Sequence, residues 1–83
     1  MNEEYNGWTN IETWTVSLWI GETYALIQCL EEALSSEFPA KVLEREVYDY
    51  LMDRDYPVGL ASDLILRALA RVNWQEIIDA HKE

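Results

Sequence analysis

Apolar residues recur at helical spacing along almost the whole chain, and this pattern restricts the possible folds more than any other feature of the sequence. Ile11, Trp14 and Leu18 follow the steps of one helix face, and Leu43 and Val47 begin a similar row further on. No alternating strand pattern competes with this periodicity. The sequence therefore predicts an all-α fold, a small bundle of four to five helices, in one acidic helical domain that covers residues 1–83.

Turn-forming residues divide the periodic pattern into segments. The predicted helices cover about 10–20, 22–35, 39–54, 60–72 and a short final stretch from 73 onward. Residues 1–8 are predicted as an N-terminal arm that ends at the turn dipeptide Asn6-Gly7. Thr9 and Glu12 have the spacing of a capping box at the start of the first helix, and Gly21 fits the C-cap at its end.

The fourth predicted helix is apolar nearly all round, which is typical of a helix at the centre of a bundle. We therefore expect a bundle with a central apolar helix. The predicted core takes large apolar residues from every segment: Trp14, Trp19, Leu30, Leu43, Leu51, Leu64, Leu69 and Trp74. A chain of this length buries only about 60–65% of its unfolded surface, so this core is small.

The charge of the chain is strongly negative and unevenly distributed. Sixteen acidic residues against six basic ones give a net charge of −10. Residues 1–40 contain seven acids and no Lys or Arg, whereas residues 41–83 contain all six bases. This field disfavours direct binding of nucleic acid or of an anionic membrane, and it favours a protein partner with a basic surface. The alternative is that the charge serves only solubility.

Residue types suited to catalysis or metal binding are scarce. One Cys and one His are too few for a zinc site, and the start of a calcium loop at residues 53–55 fails at Pro57 and Val58. His81 lies near the chain end without the orienting partner that a general base needs. Cys29 lies near an apolar stripe, with no base in its half of the chain to lower its pKa. We expect neither an enzyme nor a bound cofactor.

The expected location is the cytoplasm. The start Met1-Asn2-Glu3-Glu4 lacks the basic region of a signal peptide. No apolar stretch is long enough to span a bilayer. The single cysteine cannot form the internal disulfides that small secreted domains use.

Aromatic residues cluster near the N-terminus, where Trp8, Trp14 and Trp19 occur within twelve positions. Trp14 and Trp19 have the spacing of core residues on a helix. Trp8 has two interpretations. It either packs on the first helix as a hydrophobic staple or forms an aromatic contact with a partner.

The same segment carries a motif, N-G-W-x-N-x-E-T-W over residues 6–14, followed by Leu18-Trp19. Together with the ending Val72-Asn73-Trp74 and Glu76-Ile77, it resembles a family of small proteins of unknown function found in phages and other mobile elements. The resemblance covers both ends of the chain, and between them only the helical character matches. It implies a phage or mobile-element origin, with the host cytoplasm as the location, but no particular activity.

The leading functional hypothesis is an inhibitor that binds the basic nucleic-acid-binding surface of a host defence complex. Such an anti-CRISPR or anti-restriction protein acts by DNA mimicry, its carboxylates replacing phosphates. The candidate acidic residues lie on the second and third predicted helices: Glu31, Glu32, Glu46, Asp49, Asp53 and Asp55. Three of these, at positions 46, 49 and 53, rise by about 4.5 and 6 Å along a helix. Phosphates on a DNA strand advance by a distance of the same order, about 3.4 Å per nucleotide.

The alternative is a small adaptor that binds a protein through a Trp-rich hydrophobic face, with Trp8 as the candidate contact and acidity serving solubility. The sequence leaves the target open, and it favours neither a monomer nor a homodimer.

Overall fold

In the computed structural model, residues 4–53 and 59–82 are described, except for the side chain of Asp53. These residues form five helices, α1 (Ile11–Glu22), α2 (Tyr24–Leu34), α3 (Pro39–Asp53), α4 (Leu60–Arg71) and α5 (Trp74–His81). The predicted all-α bundle is confirmed, with helix bounds within about two residues of those expected. None of the described helices is both long enough and apolar enough to cross a membrane.

The core lies where α3 packs against both α2 and α5, with α1 placed across α2 and α5. Leu43 on α3 and Ile77 and Ile78 on α5 are completely buried. The shortest helix thus supplies two of the most buried side chains, because it lies between longer helices. The predicted core positions Leu30, Leu43, Leu69 and Trp74 are confirmed as buried.

The prediction that the fourth helix is central was wrong. α4 packs mainly on α1, and of its twelve residues only Leu69 is buried. Ile65 and Leu69 share the face that meets α1, whereas Leu64 points about 100° away from Ile65 around the helix. Leu64 is consequently 56% exposed. An all-round apolar helix at the edge of a small bundle has no neighbour to cover its outer side.

Three further expectations about the core need correction. Trp19 is 56% exposed and Leu51 is 39% exposed, whereas Trp14 is half-buried. On α1 the core direction is taken by Thr13 and Ile20, both essentially inaccessible to solvent. Trp19 precedes Ile20 and is therefore turned about 100° away from the core. The apolar spacing predicted the helical period of α1 correctly, but it predicted the wrong side of the helix to face the core.

The N-terminal residues form a tight turn, as Asn6-Gly7 predicts. The amides and carbonyls of Tyr5 and Trp8 exchange two hydrogen bonds of 2.8 Å. Asn6 and Gly7 between them have φ angles of 49° and 87°, in the left-handed region that Asn and Gly tolerate. The Tyr5 ring meets the Trp14 ring edge to face at 5.0 Å. This turn holds the arm against α1.

The cap of α1 is Asn10, one residue after the predicted Thr9. The Asn10 Oδ1 accepts from the Thr13 amide at 2.9 Å and from the Thr13 hydroxyl at 2.7 Å. Its Nδ2 donates to the carbonyl oxygen of Arg71 at 2.8 Å. A threonine hydroxyl has a single proton, so an amide side chain is better suited to accept from α1 and donate to α4 at once. Glu12 takes no part in the cap.

The end of α1 also differs from the expectation. The helix continues through Gly21, because the Thr23 amide donates to the Trp19 carbonyl oxygen at 3.0 Å. It stops at Thr23, whose extended backbone (φ −120°, ψ 119°) is the only break before α2. The two helices are thus joined by one residue.

Residues near both ends of the chain meet beside this cap. The Asn73 amide donates to the Thr13 hydroxyl oxygen at 2.9 Å, and the Asn73 side chain caps α5 by accepting from the Glu76 amide at 3.1 Å. The Glu76 carboxylate accepts from the Thr9 amide at 3.1 Å. The α1 cap and the α5 cap therefore form one polar network, which we call the cap junction (Thr9, Asn10, Thr13, Asn73 and Glu76).

Leu43→Ala should destabilise the domain by about 2–5 kcal/mol, because the truncation leaves a cavity in a fully buried position. Leu64→Ala should cost well under half as much, since that side chain already lies largely in water. Urea unfolding of the two variants checks this difference. Equal losses would mean that α4 packs more closely than described.

Asn10→Ala should cost about 1–3 kcal/mol, because it removes the α1 cap and leaves the buried amide and hydroxyl of Thr13 without their acceptor. Thr9→Ala is the matched control. Its hydroxyl accepts only one exposed bond, from Asn73 Nδ2 at 3.3 Å, so we expect a loss of less than about 0.5 kcal/mol. Thermal unfolding that ranks Thr9→Ala as the more damaging change would contradict the described cap.

Candidate functional site

Packing of α2 against α3 brings acidic side chains of the two helices together. Cys29 and Glu32 are three residues apart on α2 and so lie on one side of that helix. Glu46 on α3 is within hydrogen-bonding reach of both. Asp49 follows Glu46 by three residues on α3 and adds its charge to the same place. The site is thus built across the helix pair that forms the main contact of the bundle.

The proximity of these carboxylates changes the titration of Glu46. Hydrogen bonding to Glu32 raises the pKa of Glu46, and partial burial and the charges of Glu32 and Asp49 raise it further. A hydrogen bond from Cys29 opposes the shift. The ionised carboxylate of Glu46 is therefore destabilised in the folded protein by its acidic neighbours and by partial burial.

Cys29 is half-buried and packs against the core. Burial raises the pKa of its thiol, and the charges of Glu46 and Glu32 raise it further. The thiol is therefore kept protonated at neutral pH. This environment is the opposite of one that activates a cysteine nucleophile.

The structure places four of the six candidate acids on one pair of helices. Glu31, Glu32 and Asp49 are exposed and Glu46 is half-buried. We call Glu32, Glu46 and Asp49 the acidic face, whereas Glu31 points about 100° away from Glu32 around α2. None of the four forms an ion pair with any described residue. The two remaining candidates fall outside the description, Asp53 by its side chain and Asp55 entirely.

Among the described residues, Asp49 forms no ion pair with Lys41 or Arg45, which precede it on α3. The ion pairs that the structure gives for described residues lie elsewhere, between Arg67 and Asp63 at 3.0 Å and between Arg71 and Glu12 at 3.2 Å.

Trp8, the candidate aromatic contact, is half-buried and packs against the core. Its packing favours the structural interpretation. Trp19 is the more exposed indole, and sequence periodicity placed it in the core. The sequence signal that could have identified it is the adjacent Ile20, since consecutive residues of a helix differ in direction by about 100°.

Trp19 belongs to an apolar groove that runs along α1 between α3 and α4. Two adjoining depressions of about 360 and 370 Å³ share Thr15, Val16 and Leu51 as lining residues. Trp19 and Tyr50 line the first and Ile11 lines the second. We call this surface the α1 groove. The groove was not predictable from the sequence, because its residues were expected inside the core or had no predicted role.

Within residues 4–53 and 59–82, no group of three or more His, Cys, Asp or Glu side chains is arranged to hold a metal ion. The acidic face has a carboxylate pair at Glu32 and Glu46, but Asp49, its third member, does not complete a coordination shell. What this arrangement offers chemically is negative charge at close spacing.

A family model described as a family of unknown function (DUF7249) matches residues 1–78. No curated protein and no solved structure matches the chain. The matched range includes both halves of the cap junction and the whole acidic face.

Glu46→Gln should stabilise the domain at pH 7 by roughly 0.2–0.5 kcal/mol, the usual size of an exposed like-charge repulsion. Because the folded pKa is raised, the folded state binds the proton more tightly, and the parent protein recovers this stability as pH falls through that pKa. The advantage of the variant should disappear below about pH 4, where Glu is protonated in the unfolded chain too.

The measurement is urea unfolding at both pH values. Glu44→Gln is the matched control, since Glu44 is exposed on α3 but lies about 200° around the helix from Glu46. A stabilisation by Glu46→Gln that is the same at both pH values would contradict the described repulsion.

Proposed function

Since the chain belongs to the DUF7249 family, whose function is unknown, we propose from its surface that the protein acts by binding rather than by catalysis. Its partner is a protein with a basic surface of the kind that contacts nucleic acid, and the contact is the acidic face. The observation that carries this proposal is the convergence of Glu32, Glu46 and Asp49 where α2 packs on α3, at a place where no described basic residue neutralises their charge.

Like charges held together cost stability, so a solubility device gains nothing from this arrangement. Solubility depends on net charge, which dispersed acids supply equally well. A basic partner would relieve the repulsion on binding, and complementary charge would speed its association.

The more specific form of the proposal is a phage-type inhibitor of a host defence complex, anti-CRISPR or anti-restriction, that acts in the host cytoplasm by DNA mimicry. Its support is the acidic face and the resemblance of the motif at residues 6–14 to proteins of phages and mobile elements. Carboxylates on a rigid helix pair can occupy the phosphate positions of a basic channel.

The second candidate is an adaptor that binds a protein through apolar contacts. The observation in its favour is the exposure of Trp19 beside the α1 groove. Exposed Trp residues are frequent binding hot spots, whereas isolated exposed apolar residues are ordinary. In this candidate the contact residue is Trp19 rather than Trp8.

Replacing Glu32, Glu46 and Asp49 together by Gln, Gln and Asn should leave the domain folded and weaken binding to its basic partner by about tenfold or more. The partner is first isolated from a bacterial lysate on the immobilised protein and identified by mass spectrometry. Binding constants are then measured with the purified partner at two salt concentrations. Binding of the parent should weaken with salt, because exposed charges are screened beyond about 8 Å at physiological ionic strength.

The matched control replaces Glu37, Glu44 and Asp79 by Gln, Gln and Asn. These residues are exposed and lie outside the acidic face, so the net charge changes equally. Duplex DNA should compete with the protein for the partner. If both triple variants bind like the parent and DNA does not compete, the acidic face is not the binding site.

A further inference from the structure

The outer side of α3 carries a strip of residues at heptad spacing. The strip has four members, separated by steps of three, four and three residues: Phe38, Lys41, Arg45 and Tyr48. These steps are those of the a and d positions of a helix that packs along another helix. Leu43 is turned about 200° from Lys41 and is completely buried, so the strip points away from the core. We call these four residues the α3 strip.

The α3 strip lines one open depression of about 720 Å³. Val42 and Glu44 complete its lining, and they stand at the e and g positions that flank such a seam. Val42 and Tyr48 are half-buried against the core, whereas Phe38 is 66% exposed at the end of the strip. The Phe38 carbonyl oxygen accepts from the Val42 amide at 3.0 Å, so Phe38 is held in the first turn of α3. The depression therefore has the residue pattern of one half of a two-helix contact.

Two bases at the centre of the strip decide what kind of helix fits. Lys41 and Arg45 are exposed, and they are about 6 Å apart along the axis of α3. Neither forms an ion pair with a described residue, although Glu44 and Asp49 each lie one helical turn from one of them. Two side chains four residues apart on a facing helix have the same spacing. Two carboxylates at such positions would therefore meet both bases at once.

The same bases argue against a second copy of this chain as the occupant. Antiparallel α3 helices packed through their strips would bring Lys41 of one copy against Arg45 of the other. Parallel helices would bring each base against its own equivalent. Like charges opposed in this way are repulsive, and each copy also carries a net charge of −10.

We propose that the α3 strip binds a helix of another protein that has carboxylates at two central positions of its seam and an apolar residue at each end. The apolar residues pack on Phe38 and Tyr48, and the carboxylates pair with Lys41 and Arg45. Steps of three, four and three residues read the same in both directions, so the partner helix fits in either orientation. The inference concerns a surface of opposite charge to the acidic face, and it does not depend on the proposed function.

The probe is a fluorescein-labelled peptide of about 18 residues, long enough to reach past both ends of the strip, which spans about 15 Å. It carries Leu, Glu, Glu and Leu at steps of three, four and three residues, with Ala and Gln elsewhere and both termini blocked. A neutral version has Gln in place of both Glu. Fluorescence anisotropy at physiological salt should show the acidic peptide binding at least about fivefold more tightly. The sign of this preference is diagnostic, because the overall charge of −10 alone would favour the neutral peptide.

Replacing Lys41 and Arg45 together by Gln should abolish or reverse the preference, because only the overall negative field then remains. The matched control replaces Arg67 and Lys82 by Gln. These two bases are exposed and lie outside the strip, so the net charge changes equally and the preference should be kept. All four side chains lie in water, and thermal unfolding of each variant checks that the fold is retained.

Phe38→Ala tests the apolar end of the strip. It should weaken both peptides by about fivefold or more, because the exposed ring loses its packing on the partner. Trp19→Ala is the matched control, since Trp19 is exposed to a similar extent but lines the α1 groove. It should leave both affinities unchanged.

Several results would overturn the inference. Failure of both peptides to bind, or binding of the neutral peptide as tightly as the acidic one, would remove the acidic helix as the occupant. A larger loss with Trp19→Ala than with Phe38→Ala would place the peptide in the α1 groove. Sedimentation equilibrium that shows a dimer, dissociated by Phe38→Ala, would assign the strip to a second copy. None of these results involves the acidic face, so the proposed function would stand.

Discussion

The buried hydroxyl of Thr13 is the interaction on which the arrangement of the helices depends. It donates to Asn10 Oδ1 at 2.7 Å and accepts from the Asn73 amide at 2.9 Å, with no exposure to solvent. The partners are 3 and 60 residues away in sequence. Because an unpaired buried polar group is costly, this hydroxyl is stable only when the start of α1 and the turn before α5 meet. The cap junction therefore sets the register of the two chain ends.

The orientation of α1 that the cap junction fixes determines which of its other side chains are exposed. With Thr13 held inward, Ile20 faces inward one heptad later, and Trp19 is turned outward. The distinctive motif at residues 6–14 is thereby explained largely as structure, since its Asn-Gly forms a turn, its second Asn is a cap and its Thr is the buried link. Its functional consequence is indirect. The motif positions the groove surface without contributing its main contacts.

The helical fold and most element bounds were predictable, because period, breakers and caps are local properties. Asn73 was correctly placed at the start of α5, and its side chain does accept from Glu76. Which side of a helix faces inward was less predictable, since it depends on long-range pairing. Asn10 bonds to Arg71, and this contact shifted the cap away from Thr9. The proximity of Glu32 and Glu46 likewise depends on how α2 packs against α3. The α1 groove forms because Trp19 and Leu51 are exposed, contrary to the prediction from their spacing.

Helix α3 connects the acidic face with the α1 groove. Asp49 belongs to the acidic face, and the adjacent Tyr50 and Leu51 line the α1 groove. A basic amphipathic partner would be complementary to both, and the two surfaces would contribute differently. Exposed carboxylates raise the rate of encounter and make it sensitive to salt. Apolar contact at Trp19 acts after encounter, because desolvated packing governs mainly the dissociation rate. If one partner uses both surfaces, loss of the acidic face should slow its association, and loss of Trp19 should speed its release.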